Sequence, residues 1–349
     1  MNIVILSAAE HSSATKSIIK AGEKLGHKMI VLDPSYLYLL VSDTVSGHDK
    51  IMDGYNQYNK PERIKAGEID AVISRIGNNL YYGASVLFHF RNNLKIFTTQ
   101  TSEGILTASD KMLTIQKLSA AKIKVPRTII ADDGRHLDFM INSVGGLPCI
   151  CKLINGSQGV GVMILESKNQ TNSSLQSFYK SKIKILLQEY IDGNSTDIRA
   201  IIVDNVCIGA MKRVAQKNEF RSNLSLDGTG EIIELSEADK EIAVKSANAV
   251  GLSVAGVDLM KSKDGTTYVI EVNGNMGFKF ETVTGISISN PLIRMCEKYA
   301  NKKDFNNLAA NIETPINNVK TENKTTKGIN WNLIDNLPHN KEVDKYFNS

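Results

Sequence analysis

The spacing of apolar and polar residues changes period repeatedly along the chain, and each change predicts an element. Asn2 to Ala8 (NIVILSA) is an unbroken apolar run, the pattern of a parallel strand covered on both faces. Ala14 to Leu25 has helical spacing and stops at Gly26, and Lys28 to Pro34 (KMIVLDP) reads as the next strand. Ala71 to Ile76, a helical stretch from Tyr82 to Phe90 and a strand from Lys95 to Thr98 continue the alternation. Residues 1 to about 105 therefore predict a small α/β domain. No GxGxxG follows the first strand, which argues against a dinucleotide site there.

From Ser109 the pattern changes. Ser109 and Asp110 are N-cap residues for a helix from Lys111 to about Ala121, followed by the strand-like Arg127 to Ala131. Cys149 to Ile154 (CICKLI) and Val160 to Leu165 read as strands joined by the glycine-bearing loop NGSQGVG, and Ile185 to Ile191 (ILLQEYI) as a buried strand ending at a hinge. Asp197 to Val203 and Val206 to Val214 flank the turn Asp204-Asn205, and Ser236 to Val250 is a capped amphipathic helix closed by Gly251. Residues 301 to 349, rich in Asn, Lys and Thr, predict a mobile tail with one anchoring patch at Ile329 to Ile334 around the lone Trp331.

Composition narrows the function classes. The 349 residues are 42% hydrophobic and 22% charged, which suits a globular chain of two or three domains. A net charge of +4 without a long basic block points to a small anionic ligand and away from nucleic acid. No run of eighteen apolar residues exists to cross a membrane. Cys149, Cys151, Cys207 and Cys296 have neither CxxC spacing nor a secreted framework, so they read as reduced core thiols of a cytoplasmic protein.

The chemistry gathers around Val254 to Phe280. With Asp264-Gly265 as a two-residue hairpin loop, Lys263 faces Thr266, and counting back places Asp258 opposite Glu271, with Asn273 on the same face. Like charges directly opposite destabilise a sheet unless a divalent cation lies between them, and two acids plus an amide suit Mg²⁺. A solvated hairpin with acids on its wet face is the plain alternative. In CICKLI, Lys152 lies between Ile150 and Ile154 on one face, where a cation is costly without an anionic partner. Glycines 156, 159 and 161 could close on phosphate oxygens, although their loop joins strand to strand and is no Walker P-loop; a flexible hairpin is the alternative. The first-turn Lys111 opposes the helix dipole, as an adjacent anion would explain. Arg75, in an apolar strand before Gly77, is either a substrate arginine at a strand end or a surface residue. The Asp204-Asn205 turn places Asp197 opposite Lys212 as a cross-strand ion pair. Arg199, Arg213 and Arg221, the last in FRSN, suit a polyphosphate and a charged intermediate.

The ordered set Lys111, KLINGSQGVG, LLQEYI, DIR, FRSN, GVDL and EVN resembles the ATP-grasp ligases of the RimK type, which join amino acids such as glutamate onto peptide or protein ends. The likeness covers about residues 1 to 300 and includes RIG at 75 to 77. It implies an α/β and α+β fold: a preATP-grasp domain over 1–108, an ATP-grasp N-lobe over 109–190 and a C-lobe with the metal site over 191–300, before the tail at 301–349. By the family pattern Lys111 and Lys152 contact phosphates, and Gly156, Ser157, Gly159 and Gly161 cover them. Glu189, Tyr190 and Ile191 hold adenine, Asp197 approaches the ribose, and Arg221, Ser222 and Asn223 line the nucleotide, with Arg221 and Asn223 at the reacting end. Asp258, Glu271 and Asn273 bind two Mg²⁺ or Mn²⁺. One departure stands out. After Asn273 the RimK pattern continues Ala-Ser-Pro-Gly, whereas this chain has Gly274-Asn275-Met276-Gly277 and then Phe278-Lys279-Phe280.

The resemblance implies a carboxylate–amine ligase that uses ATP and an acylphosphate, acting on an amino acid and a peptide or protein acceptor, with a homo-oligomer open. Two alternatives stand beside it: a ligase that cross-links side chains of a ribosomally made precursor, and a nucleotide-binding regulator without chemistry. Intact Lys152, Arg221, Asp258, Glu271 and Asn273 argue against the regulator.

Overall fold

A computed structural model describes residues 1–39, 52–55, 61–64, 66–154, 161–193, 196–215 and 229–302. The tail, with Trp331, lies outside the described residues. Strands β1 (Asn2–Leu6), β2 (Lys28–Leu32), β6 (Ala71–Ser74) and β7 (Phe97–Thr98) form a parallel sheet in the order β2-β1-β6-β7. Ile3 to Leu6 of β1 are fully buried, as a parallel strand covered on both faces must be. Helix α1 (Ser13–Lys24) connects β1 to β2. Ser12 caps it by accepting from the Thr15 backbone at 3.2 Å, and Gly26 takes φ +79° just past its end. The structure adds a small antiparallel sheet of β3 (Leu37–Leu39), β4 (Met52–Tyr55) and β5 (Pro61–Ile64), while helix α2 (Leu80–Phe88) is the helical stretch expected from Tyr82 to Phe90.

Helices α3 (Ser102–Ser109) and α4 (Lys111–Ala120) lead into a second, antiparallel sheet. Its strands β8 (Thr128–Ile130), β9 (Cys149–Leu153), β10 (Val162–Leu165) and β11 (Ile185–Glu189) run in the order β10-β9-β11-β8. Cys149, Cys151, Leu165 and Leu187 on one face pack against α5 (Leu137–Ser143) and α6 (Lys168–Lys180) in a core of their own. The period of two then sends Ile150 and Lys152 to the other face.

The third sheet takes β12 (Thr196–Val203), β13 (Val206–Val214), β14 (Thr229–Ile233), β15 (Val254–Lys261) and β16 (Thr267–Asn273) in the order β14-β13-β12-β15-β16. Helix α7 (Glu237–Val250) buries Ala243, Ala247 and Val250 against Ala200, Ile202 and Val257 on one face. Helices α8 (Lys279–Thr284) and α9 (Ser289–Tyr299) complete the chain, with α9 beside α1. The first and third sheets share continuous hydrophobic clusters, and Gln100 ties them by donating to the carbonyls of Val254 and Gly274. Among the described residues no helix is long and apolar enough to cross a membrane, and all four cysteines are free.

Both hairpin registers depart from simple counting. The β15–β16 loop has three residues, Lys263 to Gly265, closed by Ser262 and Thr266, because Gly265 adopts φ +83° and the Asp264 carboxylate accepts from the Thr266 backbone at 3.0 Å. Loop Lys263 facing Thr266 is therefore incorrect. A bulge at Ile270 then shifts the register back by one, and Asp258 does lie opposite Glu271. In the β12–β13 hairpin the two-residue turn is as expected, with Asp204 at φ 52° and Asn205 at φ 65°. A bulge at Ile208 moves the far partners, so Asp197 faces Arg213 and Ile198 faces Lys212. The expected Asp197–Lys212 pair is replaced by Asp197–Arg213.

Candidate active site

Strand registers align a row of charged residues on the face of the third sheet that α7 does not cover. Asp197 and Arg199 are two apart on β12; Arg213 lies across from Asp197, Asp258 across from Arg199, and Glu271 across from Asp258. Asp258 is buried, and both its carboxylate oxygens are engaged. Arg199 donates from Nε to Oδ1 and from Nη2 to Oδ2 at 2.7 Å, while Nη2 of Arg213 lies 3.0 Å from Oδ1. Arg213 donates from Nε to Asp197 at 2.6 Å as well. Although burial alone would raise the Asp258 carboxyl, the two guanidiniums hold it below the usual carboxylate range. The Asp258–Glu271 repulsion is thus relieved by arginines already in the fold. Arg199 and Arg213, expected to suit a polyphosphate and a charged intermediate, pair in the structure with these acids.

Glu271 and Asn273 are differently placed. Among the described residues the Glu271 carboxylate has no hydrogen-bond or ion-pair partner, and the amide nitrogen of Asn273 is buried without one. The Glu271 carboxylate, Asp258 and the side-chain oxygen of Asn273 are hard oxygen donors of the kind Mg²⁺ takes, with Asp258 already shared with Arg199 and Arg213. Lys152 approaches this row from the second sheet. It occupies an inner strand, flanked by Val162 and Leu186, and makes no hydrogen bond or ion pair among the described residues. Burial lowers its ammonium to about 8, opposed by the charges of Glu271 and Asp258 and reinforced by Lys111. The two sheets are therefore close enough for their charges to interact.

Lys111 opens α4 behind the Asp110 cap, whose carboxylate accepts from Met112 at 2.8 Å and Leu113 at 3.1 Å. Its Nζ donates to the Ile154 carbonyl at 3.3 Å, which puts the ammonium at the start of the glycine loop. Gly161 closes that loop at φ +79°, where a β-carbon would lie 2.6 Å from Leu153. Gly156, Ser157 and Gly159, like Arg221, Ser222 and Asn223, lie outside the described residues. Glu189 ends β11, and Arg127 grips its carboxylate with Nε at 3.1 Å and Nη2 at 3.0 Å. This pairing overrides burial and lowers the carboxyl, so the Glu189 side chain braces the junction that continues into Tyr190 and Ile191. Arg75, expected at the surface or at a substrate, is half-buried against the segment after Asn273. Sequence reading passed over Arg127 and Gln100, whose roles depend on partners 62 and 154 residues away.

A parallel α/β domain followed by two antiparallel sheets, which face each other across one lysine and a carboxylate pair, defines an ATP-grasp protein. The profile of the RimK PreATP-grasp domain matches residues 1–105 and that of the RimK-like ATP-grasp domain residues 108–296. The chain belongs to the RimK-like ATP-grasp family and is an ATP-dependent carboxylate–amine ligase. It is similar to a probable alpha-L-glutamate ligase 1 of Shewanella denitrificans, 35% identical over 309 residues that cover 86% of this chain and 99% of that protein. A probable alpha-L-glutamate ligase of Trichodesmium erythraeum is likewise 35% identical, covering 86% of this chain and 98% of its own length. Among solved structures, the ligase PsnB with a precursor variant, Mg and ADP superposes with a TM-score of 0.67 at 21% identity, over 86% of this chain and 98% of that one. D-alanine–D-alanine ligase of Bacillus anthracis gives 0.57 at 21% identity, over 86% and 97%. At these identities the structural likeness is one of fold.

Proposed function

We propose that this ligase activates a carboxylate with ATP and Mg²⁺ and joins it to the amine of an amino acid, glutamate first, at the end of a peptide or protein. The observation that carries the reading is Lys152: a cation on one sheet with no hydrogen-bond or ion-pair partner among the described residues, under the charges of Glu271 and Asp258 on the other. Such a cation is costly to keep unless an anion enters between the sheets, and a nucleotide triphosphate is that anion. The curated relatives named for glutamate ligation support the choice of amino acid.

Asp258, Glu271 and Asn273 would hold the metal, two ions by the family pattern. Bound there, Mg²⁺ supplies charge neutralisation for the phosphates and a fixed geometry for transfer. Lys111 and Lys152 neutralise phosphate charge from the N-lobe side, Tyr190 and Ile191 receive adenine beside the braced Glu189, and Asp197, already oriented by Arg213, faces the ribose. The substrate carboxylate attacks the γ-phosphorus, ADP leaves, and the acylphosphate forms. The amine then attacks its carbonyl, and phosphate departs as the amide is made. Arg221 and Asn223 line the reacting end in this reading, and Arg221 offsets the charge that develops in both transfers. No protein nucleophile takes part.

The test combines intact-mass analysis with phosphate and nucleotide assays. ATP, Mg²⁺, glutamate and a glutamyl peptide should give an amide product with ADP and phosphate in step, and hydroxylamine should divert the intermediate to a hydroxamate. Release of AMP and pyrophosphate would mean an acyl-adenylate and would overturn the mechanism. The cross-linking alternative draws on PsnB, whose structures contain precursor peptides, and on the changed segment after Asn273. A co-encoded precursor would favour it.

A further inference from the structure

Arg75 is a cation that the mechanism above leaves unused. It follows directly on β6, at the carboxyl end of a parallel strand, the end at which open α/β sheets bind their ligands. Its side chain reaches out to the segment that follows Asn273. Nη1 donates to the Met276 carbonyl at 2.8 Å, and the guanidinium carbon lies 4.9 Å from the centre of the Phe278 ring. Two residues on, Gly77 is pressed against Asn275, because a β-carbon at 77 would lie 2.7 Å from the Asn275 amide nitrogen. This is the segment in which Gly274-Asn275-Met276-Gly277 stands in place of Ala-Ser-Pro-Gly.

These contacts use one edge and one face of the guanidinium. On the other edge, Nε is buried with no hydrogen-bond partner, and Nη2 has none among the described residues. Among the described residues no carboxylate pairs with the group, and burial lowers it to about 10. A clamp tying loop to sheet needs only Nη1 and the ring contact, and gains nothing from a buried donor without an acceptor. Nε and Nη2 together make the side-on fork that matches two carboxylate oxygens. The segment borders the charged row of the third sheet: a β-carbon on Gly256 would lie 3.3 Å from Cβ of Met276 and 3.2 Å from Nη1 of Arg199, the residue that holds Asp258.

Building on the ligase reading above, we propose that Arg75 anchors a carboxylate of the incoming amino acid that takes no part in the reaction, with the Asn275 to Phe278 segment shaping the pocket around it. The fork fixes the substrate at one end and leaves its amine to attack. Phe278 covers one face of the guanidinium and limits its hydration, which strengthens the pairing.

The experiment compares wild type, R75K and R75Q with ATP, Mg²⁺, diglutamate as the carboxyl component, and three amines: glutamate, its α-amide isoglutamine and its γ-amide glutamine. In the wild type one of the two amides should lose about 10²-fold in kcat/KM against glutamate, because it cannot fill the fork as an anion. R75Q should lose a similar factor with glutamate and no longer discriminate against that amide, while its KM for ATP stays within about threefold. R75K, which keeps the charge but not the fork, should fall between them and guards against a folding defect in R75Q. Wild-type indifference to both amides, or equal losses with all three amines in the variants, overturns the proposal and leaves Arg75 a clamp. Amide formation with selectivity unchanged in R75Q or R75K removes this inference alone; no amide product from the wild type removes the ligase reading and this inference with it.

Discussion

Asp197 and Asp258 share one guanidinium: Arg213 donates from Nε to Asp197 at 2.6 Å and places Nη2 3.0 Å from Oδ1 of Asp258. The residue assigned to the ribose and a residue assigned to the metal are therefore held by a single buried side chain. R213M should lower stability by about 3 kcal/mol, because two acids lose a buried partner at once. Denaturant midpoints at constant m-value measure this. R213K, which cannot span both acids, should recover less than half of the loss, and full recovery would show that charge alone is enough.

Lys152 supplies a proton-linked test of nucleotide binding. Its ammonium is lowered to about 8 in the free protein, and an arriving triphosphate should restore it toward the ordinary lysine value of about 10.4. Between those two values ATP binding should take up a proton. Calorimetry at pH 9 in buffers of different ionisation enthalpy should show about one proton gained by wild type and none by K152M, which should also bind ATP more weakly. Equal uptake in both proteins would assign the proton to another group.

Glu271 is the free acid of the pair. E271A should reduce ligation by at least about 10²-fold and shift the Mg²⁺ concentration needed for nucleotide binding upward. Since no described side chain pairs with Glu271, its loss should leave thermal stability near that of wild type. A variant that turns over ATP at the wild-type rate with substrates present would remove the metal assignment.

Asp239 connects the start of α7 to the β15–β16 hairpin. It accepts from Thr267 Oγ1 at 2.7 Å and from Ser236 Oγ at 2.7 Å, with Lys261 Nζ at 2.7 Å. Burial would raise its carboxyl, but these partners hold it below the ordinary value of about 3.9. A group lowered in the folded state stabilises above its unfolded value and loses that contribution as pH falls through the lowered one. D239N should therefore cost about 1–2 kcal/mol at pH 7, and the gap to wild type should narrow below about pH 4. Urea unfolding across that range reads the gap, and a gap independent of pH would contradict the pairing.

Local pattern in the sequence was enough for most of the element list, because β1, α1, α7 and the β12–β13 turn are set by apolar period, N-caps and positive-φ residues close by in the chain. It also placed Lys152 on a face opposite Cys149 and Cys151, since a period of two needs no tertiary information. Asp258 opposite Glu271 came out correctly by cancellation: a three-residue loop where two residues were counted, and a bulge at Ile270 that restored the register. The same kind of bulge at Ile208 had nothing to cancel it, and the partner of Asp197 changed from Lys212 to Arg213. Bulges are fixed by how a sheet twists over its helices, so no local signal announces them. What neutralises Asp258, what braces Glu189 and where Arg75 points depend on Arg199 and Arg213 across strands, on Arg127, and on the Met276–Phe278 segment far along the chain. Those pairings exist only once the three sheets have packed, because a side chain's charge partner is chosen by proximity in space, which the order of residues does not contain.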